Sequence, residues 1–538
     1  MSPLAPAGAT EAFAPEEKRV IFASSLGTMF EWYDFYLYAT LVPFFAALFF
    51  PKGNDTAALL SAFATYAAGF LVRPFGALVF GRIGDIVGRK YTFLVTIICM
   101  GAATFAVGLL PTFATIGWLA PVLLVTLRLV QGLALGGEYG GAATYVAEHA
   151  PAGKRGRNTS WIQTTATIGF FLALLVILAC RSSMSAEQFA AWGWRIPFAL
   201  SVVLLGFSVY IRLKLEESPV FLRIKREGKT SAAPLTESFA RWGNAKVVLL
   251  ALFGATAGQG VVWYTGQFYA LFFLTITLKL DYQHAYGLIA ASLLIGTPFF
   301  IFFGWLSDKI GRLKIMMFGC FIAAATYFPL FAGLTHYVNP ALEAAQAKTP
   351  VSVTATGCTF HLFVGPWSKF NDCDKAKDFL TKAGVSFTSH EPAAENAAKV
   401  VTNIGAVELT GFDAKAYGDA LKNAGFPAQA DVAQVNWLMA ELILIVMVLY
   451  VTMVYGPIAA FLVELFPARI RYTSMSLPYH IGNGWFGGML PLLATAVVAA
   501  TGNIYNGLWY PIGVAIMSLV IGTLFLREGK PGAGSFDL

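Results

Sequence analysis

Long apolar stretches alternate with short polar segments along most of the chain. Stretches of about 20 residues are long enough to cross the hydrocarbon core of a bilayer as helices. By this criterion the sequence predicts twelve membrane-spanning helices, at approximately residues 20–48, 57–80, 91–110, 119–145, 159–181, 193–213, 247–274, 284–306, 315–335, 437–463, 474–500 and 504–526. The predicted fold class is therefore an all-α membrane protein.

The composition agrees with this pattern. Of 538 residues, 57% are hydrophobic and only 12% are charged, and the mean hydropathy is +0.64. Soluble proteins contain about 25% charged residues, so the composition excludes a soluble protein and makes the lipid bilayer the expected environment. Loop residues account for the net charge of +7, and we expect no nucleic-acid partner. The polar N-terminus lacks the features of a cleaved signal peptide.

Lysine and arginine are distributed unevenly between the two sets of loops. The terminal segments and the loops after even-numbered spans contain 23 of these residues, whereas the opposite short loops contain four. Basic residues concentrate in the cytoplasmic loops of membrane proteins. We therefore expect both termini to lie in the cytoplasm.

Two motifs occur twice and indicate an internal duplication. GRIGDIVGRK at residue 81 matches GWLSDKIGRLK at residue 304, and EHAPAGKR at residue 148 matches ELFPARIR at residue 464. The distance between copies grows from 223 to 316 residues, so extra sequence separates the two motifs in the second half. The expected parts are tail 1–19, bundle 20–213, loop 214–246, a second bundle formed by 247–335 and 437–526, inserted domain 336–436, and tail 527–538.

The inserted segment 336–436 lacks the hydrophobic character of its flanking spans. Because it follows the ninth span, we expect it on the periplasmic side. Its periodic aromatic and β-branched residues favour a small α+β domain, with a disordered linker as the alternative. Cys358 and Cys373 both lie in this segment, where oxidation is permitted, and we predict a disulfide between them.

The motifs carry a family resemblance. The two loops of pattern G-x-x-x-D-x-x-G-R resemble those of the major facilitator superfamily. EWYDFYLY in the first span, VRPFGALVFGRIGDIVGRK across the second and RLVQGLALGGEYGGAATYVAEHAP across the fourth resemble its metabolite:proton symporter family. That family includes proline/betaine, α-ketoglutarate, shikimate and citrate carriers. The resemblance implies two six-helix bundles around a central cavity, alternating access in a bacterial inner membrane, and a small metabolite and H⁺ as partners.

Charged residues inside membrane spans are costly and are candidates for function. Glu31 and Asp34 share one helix face near the middle of the first span. A buried carboxylate can accept a proton on one side of the membrane and release it on the other. Asp34 is the first choice for the proton site and Glu31 the second. Arg128, which begins an R-x-x-Q-G motif linked to proton coupling in the superfamily, is the expected counter-charge. A structural salt bridge is the alternative.

Two further groups of residues are expected to serve transport. Polar and aromatic residues inside spans should line the substrate cavity, although helix packing is an alternative for the stripe in the seventh span and for the histidine. These residues are Tyr38, Arg128, Gln131, Gln163, Gln259, Trp263, Tyr264, Gln267, His480 and Asn483. Charged residues near the cytoplasmic ends should form a gate, with helix locking as the alternative for the first and fourth of them: Arg73, Asp85, Arg89, Glu138, Glu148, Asp308 and Arg312.

The sequence therefore predicts a proton-coupled importer of a small organic acid or zwitterion, acting as a monomer. Two other classes stay open, an uncoupled facilitator or channel and a sensor that uses segment 336–436 as its ligand module. The chain has no G-x-x-x-x-G-K-[ST] motif, so an ATP-driven pump is unsupported. It shows no enzyme motif and no cysteine–histidine cluster with zinc-site spacing, and we expect no catalytic residue, metal or cofactor.

Overall fold

The computed structural model describes residues 15–50, 65, 68–151, 153–359, 370–391 and 400–528. Helices dominate the described chain. They are α1 (Pro15–Phe49), α2 (Arg73–Ile86), α3 (Arg89–Leu109), α4 (Leu119–His149), α5 (Arg155–Ser182), α6 (Phe189–Leu213), α7 (Pro219–Arg226), α8 (Trp242–Thr277), α9 (Tyr282–Ile310), α10 (Arg312–Val338), α11 (Pro340–Lys348), α12 (Asp372–Lys382), α13 (Ala414–Asn423), α14 (Trp437–Leu465), α15 (Arg471–Thr501) and α16 (Asn506–Phe525).

Ten of these helices are long and apolar enough to cross a membrane, namely α3–α6, α8–α10 and α14–α16. Their ends agree with ten of the predicted spans to within five residues. Helix α1 has 35 residues and contains both acids of the first predicted span. The second predicted span, 57–80, falls partly outside the described residues.

The helices form two packed halves. In the first half α1 packs against α5, and α3 packs against α4 and α6. In the second half α10 packs against α14 and α16, and α9 packs against α14. Between the halves, α5 lies against α9 and α2 lies against α15. The interface is therefore built from equivalent helices of the duplicated sequence.

Glycine turns the chain between α2 and α3 and again between α9 and α10. Gly88 has φ of 145° and Gly311 has φ of 104°, a region that L side chains rarely adopt. Both glycines belong to the repeated G-x-x-x-D-x-x-G-R motif. The motif therefore makes two equivalent turns at one end of the molecule. We call this end the basic end, because Arg89 and Arg312 follow the turns directly.

The chain between α10 and α14 forms a small sheet domain, residues 340–434. Its strands β1 (Val351–Thr354), β2 (Thr388–His390), β3 (Val401–Ile404) and β4 (Val407–Thr410) have the order β2-β1-β3-β4. Strand β1 is parallel to β2, which requires the crossover that α12 supplies. Strands β3 and β4 form an antiparallel hairpin. The domain therefore has its own α+β organisation.

The sheet domain is tied to the second half and closed by a disulfide. Phe387 N donates a 2.7 Å hydrogen bond to Gly502 O, and Ala430 N donates a 3.0 Å bond to Lys279 O. Cys358, which follows β1, is bonded to Cys373 in the first turn of α12, with their Cα atoms 5.4 Å apart. This is the pair that the sequence predicts.

Candidate functional site

The two acids of the first span lie buried in the middle of α1. Glu31 is 3% exposed and Asp34 is 6% exposed. Helix α1 packs against α5 and α4, and Gly169 of α5 allows close approach, because a Cβ there would lie 2.8 Å from Met29 O of α1. The two carboxyl groups line two separate small cavities, that of Asp34 inside the first half and that of Glu31 between the halves.

Asp34 shares its cavity with Arg128, Gln131 and Arg73. Arg128 Nη1 donates a 2.8 Å hydrogen bond to Gln131 Oε1, and Gln131 Nε2 donates a 2.6 Å bond to Thr104 Oγ1. The Thr104 hydroxyl donates its own 3.0 Å hydrogen bond to Met100 O and acts on the nearby Asp34 carboxyl group. A run of polar side chains therefore extends from the arginine towards the acid. The sequence did not single out Thr104, which lies on α3.

Glu31 lines the second cavity, which both halves of the molecule form. Its walls include Arg73, Tyr139, His480 and Asn483. Glu31 Oε2 has no hydrogen-bond partner among the described residues. A buried carboxylate oxygen without a partner is energetically unfavourable, so the structure leaves one acceptor of Glu31 unsatisfied.

Arg73 lies between the two acids and not at the basic end, where the gate was expected. It lines both cavities, and its guanidinium group lies 4.2 Å from the centre of the Phe70 ring. Arg73 begins α2, and Asp85 lies twelve residues further along it, about 18 Å at the rise of an α-helix. This distance separates Arg73 from the gate residues.

Glu138 also lies away from the other gate residues. Its carboxylate pairs with Arg212 of α6 and accepts a 2.8 Å hydrogen bond from Thr96 Oγ1. Glu138 precedes Glu148 by ten residues on α4, about 15 Å along the helix. The Glu138–Arg212 pair therefore joins α4 to α6 within the first half.

Aromatic side chains surround the Glu31 cavity and were only partly anticipated. The rings of Tyr139 and Tyr479 stack at 3.6 Å with an angle of 3°, and Tyr479 Oη lies 2.9 Å from Tyr455 Oη. The rings of Trp32 and Trp263 lie 5.3 Å apart. These contacts join the first half to the second half. Tyrosines spaced along α4, α14 and α15 are the signal in the sequence.

The other predicted lining residues make separate contacts inside the molecule. Gln259 and Asn483 exchange two hydrogen bonds of 2.8 and 3.0 Å. Gln163 Nε2 donates a 2.8 Å bond to Tyr139 Oη. The Tyr38 ring lies 4.1 Å from the Arg128 guanidinium, which places Tyr38 beside the Asp34 cavity. The remaining ones, Trp263, Tyr264 and Gln267, are buried on α8.

At the basic end, Asp85 of the first half holds the start of α15 in the second half. Its carboxylate accepts hydrogen bonds from Thr473 N at 2.8 Å, Thr473 Oγ1 at 2.7 Å and Tyr472 N at 3.3 Å. Arg89 pairs with Asp85 at 3.0 Å. Glu148 pairs with Arg471, the first residue of α15, at 2.9 Å. We call these contacts the first clasp.

The second clasp repeats this arrangement with the halves exchanged. Asp308 accepts hydrogen bonds of 2.8 Å from Gly156 N and Arg157 N at the start of α5. Arg312 pairs with Asp308 at 3.0 Å and with Glu464 at 2.9 Å. Arg155, the first residue of α5, pairs with Glu464 at 3.3 Å. Two carboxylates therefore cap one helix N-terminus each, across the interface.

Sequence reasoning missed the partners of the clasps although the signal was present. Arg155 and Arg471 occupy the last position of the duplicated EHAPAGKR and ELFPARIR segments, the same segments that revealed Glu148 and Glu464. Both arginines belong to the 23 basic residues of the terminal segments and the loops after even-numbered spans. Their equivalent positions in the two copies predict equivalent partners.

The molecule has two packed halves, with one charged cavity inside the first half, a second between the halves, and ion pairs that join the halves at one end. This arrangement is typical of a membrane transporter. Residues 20–366 match the family described as Sugar (and other) transporter. The chain belongs to this family of the major facilitator superfamily, and the resemblance found in its motifs is confirmed. It is a multi-pass membrane protein that transports small metabolites, and it is not an enzyme.

Comparison with individual proteins supports this assignment. The chain is 40% identical over 304 residues to the inner membrane metabolite transport protein YhjE of Escherichia coli (strain K12), covering 56% of this chain and 68% of YhjE. It is 37% identical over 323 residues to the alpha-ketoglutarate permease of the same organism, covering 60% and 72%. The fold is similar to the proton:xylose symporter XylE, with a TM-score of 0.59, 16% identity and 94% of each chain covered.

Proposed function

We propose that this protein is a proton-coupled importer of a small organic acid or zwitterionic metabolite, working by alternating access. One observation carries the proposal. Asp34 and Arg128 share a buried cavity, and Arg73 joins that cavity to a second one containing Glu31. Of these two cavities, the one that contains Glu31 and Arg73 lies between the halves, where carriers built from repeats bind their substrates, and the Asp34–Arg128 cavity adjoins it within the first half.

Protonation of Asp34 is the proposed coupling step. The ionised carboxylate holds Arg128 by charge attraction, while Gln131 accepts a hydrogen bond from the same guanidinium group. Once Asp34 binds a proton, this attraction ends. The planar guanidinium group of Arg128 is then free to bind a substrate carboxylate with two parallel hydrogen bonds. Proton binding and substrate binding are therefore linked through one arginine.

Glu31 is the proposed second proton site. Arg73 acts on Glu31 by charge attraction, as does the Arg212 guanidinium, whereas Glu138 repels it. Because Arg73 lines both cavities, a change of charge at one acid alters the field at the other. A proton can then pass between one site inside the first half and one site between the halves.

The clasps supply the proposed gate. Both connect the two halves at the basic end and so hold that end closed while substrate enters from the opposite end. Rocking of the halves would break both clasps and open the basic end. In this proposal twelve helices span the bilayer, both termini and the basic end are cytoplasmic, the sheet domain is periplasmic, and the monomer is the functional unit.

The buried arginines favour a substrate with a carboxylate. Arg73 and Arg128 each present a guanidinium group to a central cavity, and the alpha-ketoglutarate permease is among the relatives. The aromatic rings around Glu31 would pack against the apolar part of a metabolite. We therefore place organic acids first in a substrate screen, followed by amino acids and betaines.

Uptake into vesicles tests the proposal. Proteoliposomes containing the full chain would be given a panel of labelled carboxylates, amino acids and betaines, with and without an inward proton gradient. We expect gradient-driven accumulation of one class, loss of this accumulation in Asp34→Asn, and retention of substrate exchange in the same variant. Glu441→Gln is the matched control, because Glu441 lies in a span but outside the residues that line the two central cavities.

Three outcomes would contradict the proposal. Full gradient-driven accumulation by Asp34→Asn would exclude Asp34 as the proton site. Substrate flux without any substrate-driven change of pH would favour an uncoupled facilitator. Ligand binding that depends on the sheet domain, in the absence of flux, would favour a sensor.

A further inference from the structure

The short helix α7 lies in the connection between the two halves, directly after α6. It begins at an N-cap, where Ser218 Oγ accepts a 3.1 Å hydrogen bond from Phe221 N. Phe221 and Ile224 are each 1% exposed and pack against Ala468 near the start of α15. One face of α7 is therefore fixed to the body of the transporter.

The inner face of α7 contacts the first clasp. The Arg89 guanidinium lies 4.8 Å from the centre of the Phe221 ring, and Ser218 Oγ donates a hydrogen bond to Glu148. Glu217 accepts hydrogen bonds from Arg89 N at 3.1 Å and Lys90 N at 3.2 Å, which caps the N-terminus of α3. The position of α7 is thus coupled to two charged residues of the clasp.

The outer face of α7 is basic and exposed. Arg223, Lys225 and Arg226 point away from the protein, and the structure pairs none of the three with a carboxylate among its described residues. The only acid that follows closely, Glu227, is bound to Lys229 at 2.9 Å. Leu222 is 36% exposed and lies three and four residues before two of the cations. The outer face therefore combines three uncompensated charges with one apolar side chain.

We propose that the outer face of α7 binds the headgroups of anionic phospholipids. The helix starts six residues after the end of a predicted span, which places it close to the membrane surface. A short helix with clustered lysine and arginine beside a span is suited to negatively charged lipid. Leu222 can enter the boundary between headgroups and acyl chains while the neighbouring cations contact phosphate. Because the inner face of α7 contacts Arg89 and Ser218 contacts Glu148, lipid that fixes the position of α7 also stabilises the first clasp.

Lipid titration of the purified full chain tests the proposal. Native mass spectrometry in detergent would compare phosphatidylglycerol, which is anionic, with phosphatidylcholine, which is zwitterionic. Each basic side chain near an anionic surface strengthens binding about fivefold, so the triple variant R223Q/K225Q/R226Q should bind phosphatidylglycerol roughly a hundredfold more weakly. High ionic strength should weaken binding to the unaltered protein, because exposed charges are screened.

A control variant distinguishes the loss of this binding site from a general loss of positive charge. It removes three exposed cations of the sheet domain, at the opposite end of the molecule: K375Q/K415Q/K422Q. We expect this variant to bind phosphatidylglycerol as the unaltered protein does, and both variants to unfold at the same temperature without lipid. The proposal is overturned if the α7 variant binds within threefold of the unaltered protein, if phosphatidylcholine binds equally well, or if both triple variants lose the same affinity.

Discussion

Replacement of Asp85 by asparagine tests the clasp because it removes one charge and almost no volume. The contacts of Asp85 fall into two groups. Its pair with Arg89 lies within the first half and persists when the halves separate. The hydrogen bonds from Tyr472 N, Thr473 N and Thr473 Oγ1 cross to the second half and exist only while the basic end is closed. Among the contacts of Asp85, only these three hydrogen bonds favour the closed state over the open state.

The size of the effect follows from these three bonds. A buried hydrogen bond to a charged group contributes about 1.5–3 kcal/mol, whereas one between neutral groups contributes about 0.5–1.5 kcal/mol. Loss of the charge weakens each bond by about 1 kcal/mol. The amide NH₂ group of asparagine, moreover, cannot accept the bond that one carboxylate oxygen accepted, so the total loss is at least about 3 kcal/mol. Since 1.4 kcal/mol corresponds to a factor of about ten, the closed state should lose at least about a hundredfold in population relative to the open state.

Distance measurement between two spin labels would detect this change. One label replaces Tyr91 on α3 and the other replaces Ile310 on α9, which are both exposed near the basic end in opposite halves. The free cysteines Cys99, Cys180 and Cys320 would first be replaced. We expect a single short distance in the parent protein and an added longer distance in Asp85→Asn.

Two controls define the interpretation of the spin-label experiment. Asp308→Asn should produce the same lengthening, because Asp308 caps α5 as Asp85 caps α15. Asp378→Asn should produce none, because Asp378 pairs with Lys382 on the surface of the sheet domain. An unchanged distance distribution in both clasp variants would refute the argument that these carboxylates hold the halves together.

Two further predictions concern stability. Glu138→Gln leaves Arg212 buried without its counter-charge and should lower the free energy of unfolding by about 3–5 kcal/mol; the thermal transition should fall sharply, and that of the exposed-pair control Glu227→Gln should not. Replacing Cys358 and Cys373 by alanine opens a loop with a sequence separation of 15 and should cost about 3 kcal/mol. Faster hydrogen exchange in α12, with unchanged exchange in α3, would support this prediction, and unchanged exchange in α12 would contradict it.

Several features of the fold could be predicted because they depend on local sequence. A membrane helix needs a continuous apolar stretch of sufficient length, so ten spans were located to within a few residues. The turn glycines Gly88 and Gly311 could be found from the repeated motif, since the backbone there adopts positive φ. The α+β character of the inserted segment was predicted from its periodic aromatic and β-branched residues, but strands β3 and β4 were not predicted.

The candidate site could be predicted only in part. Asp34 and Arg128 were expected together, and one cavity contains both. For Arg73 and Glu138 the sequence predicts a gate or a helix-locking role, because both lie nearer the basic end of their spans. In the structure both residues lie deeper along their helices than the gate residues do. Arg73 lines the central cavities and Glu138 pairs with Arg212. A sequence motif can extend over several turns of a helix, so residues of one motif can lie far apart and belong to different sites.

The amino-acid sequence by itself determined the number and length of the ten matched membrane helices, the duplication and the types of charge available for coupling. Hydrophobic length and motif spacing are local quantities, so they can be determined without knowing which residues are neighbours in the fold. Only the tertiary structure decided which charges meet: Arg73 with both acids of α1, Glu138 with Arg212, and each clasp carboxylate with a helix of the opposite half. The reason is that these pairs join residues tens to hundreds of positions apart, and the packing of helices selects them.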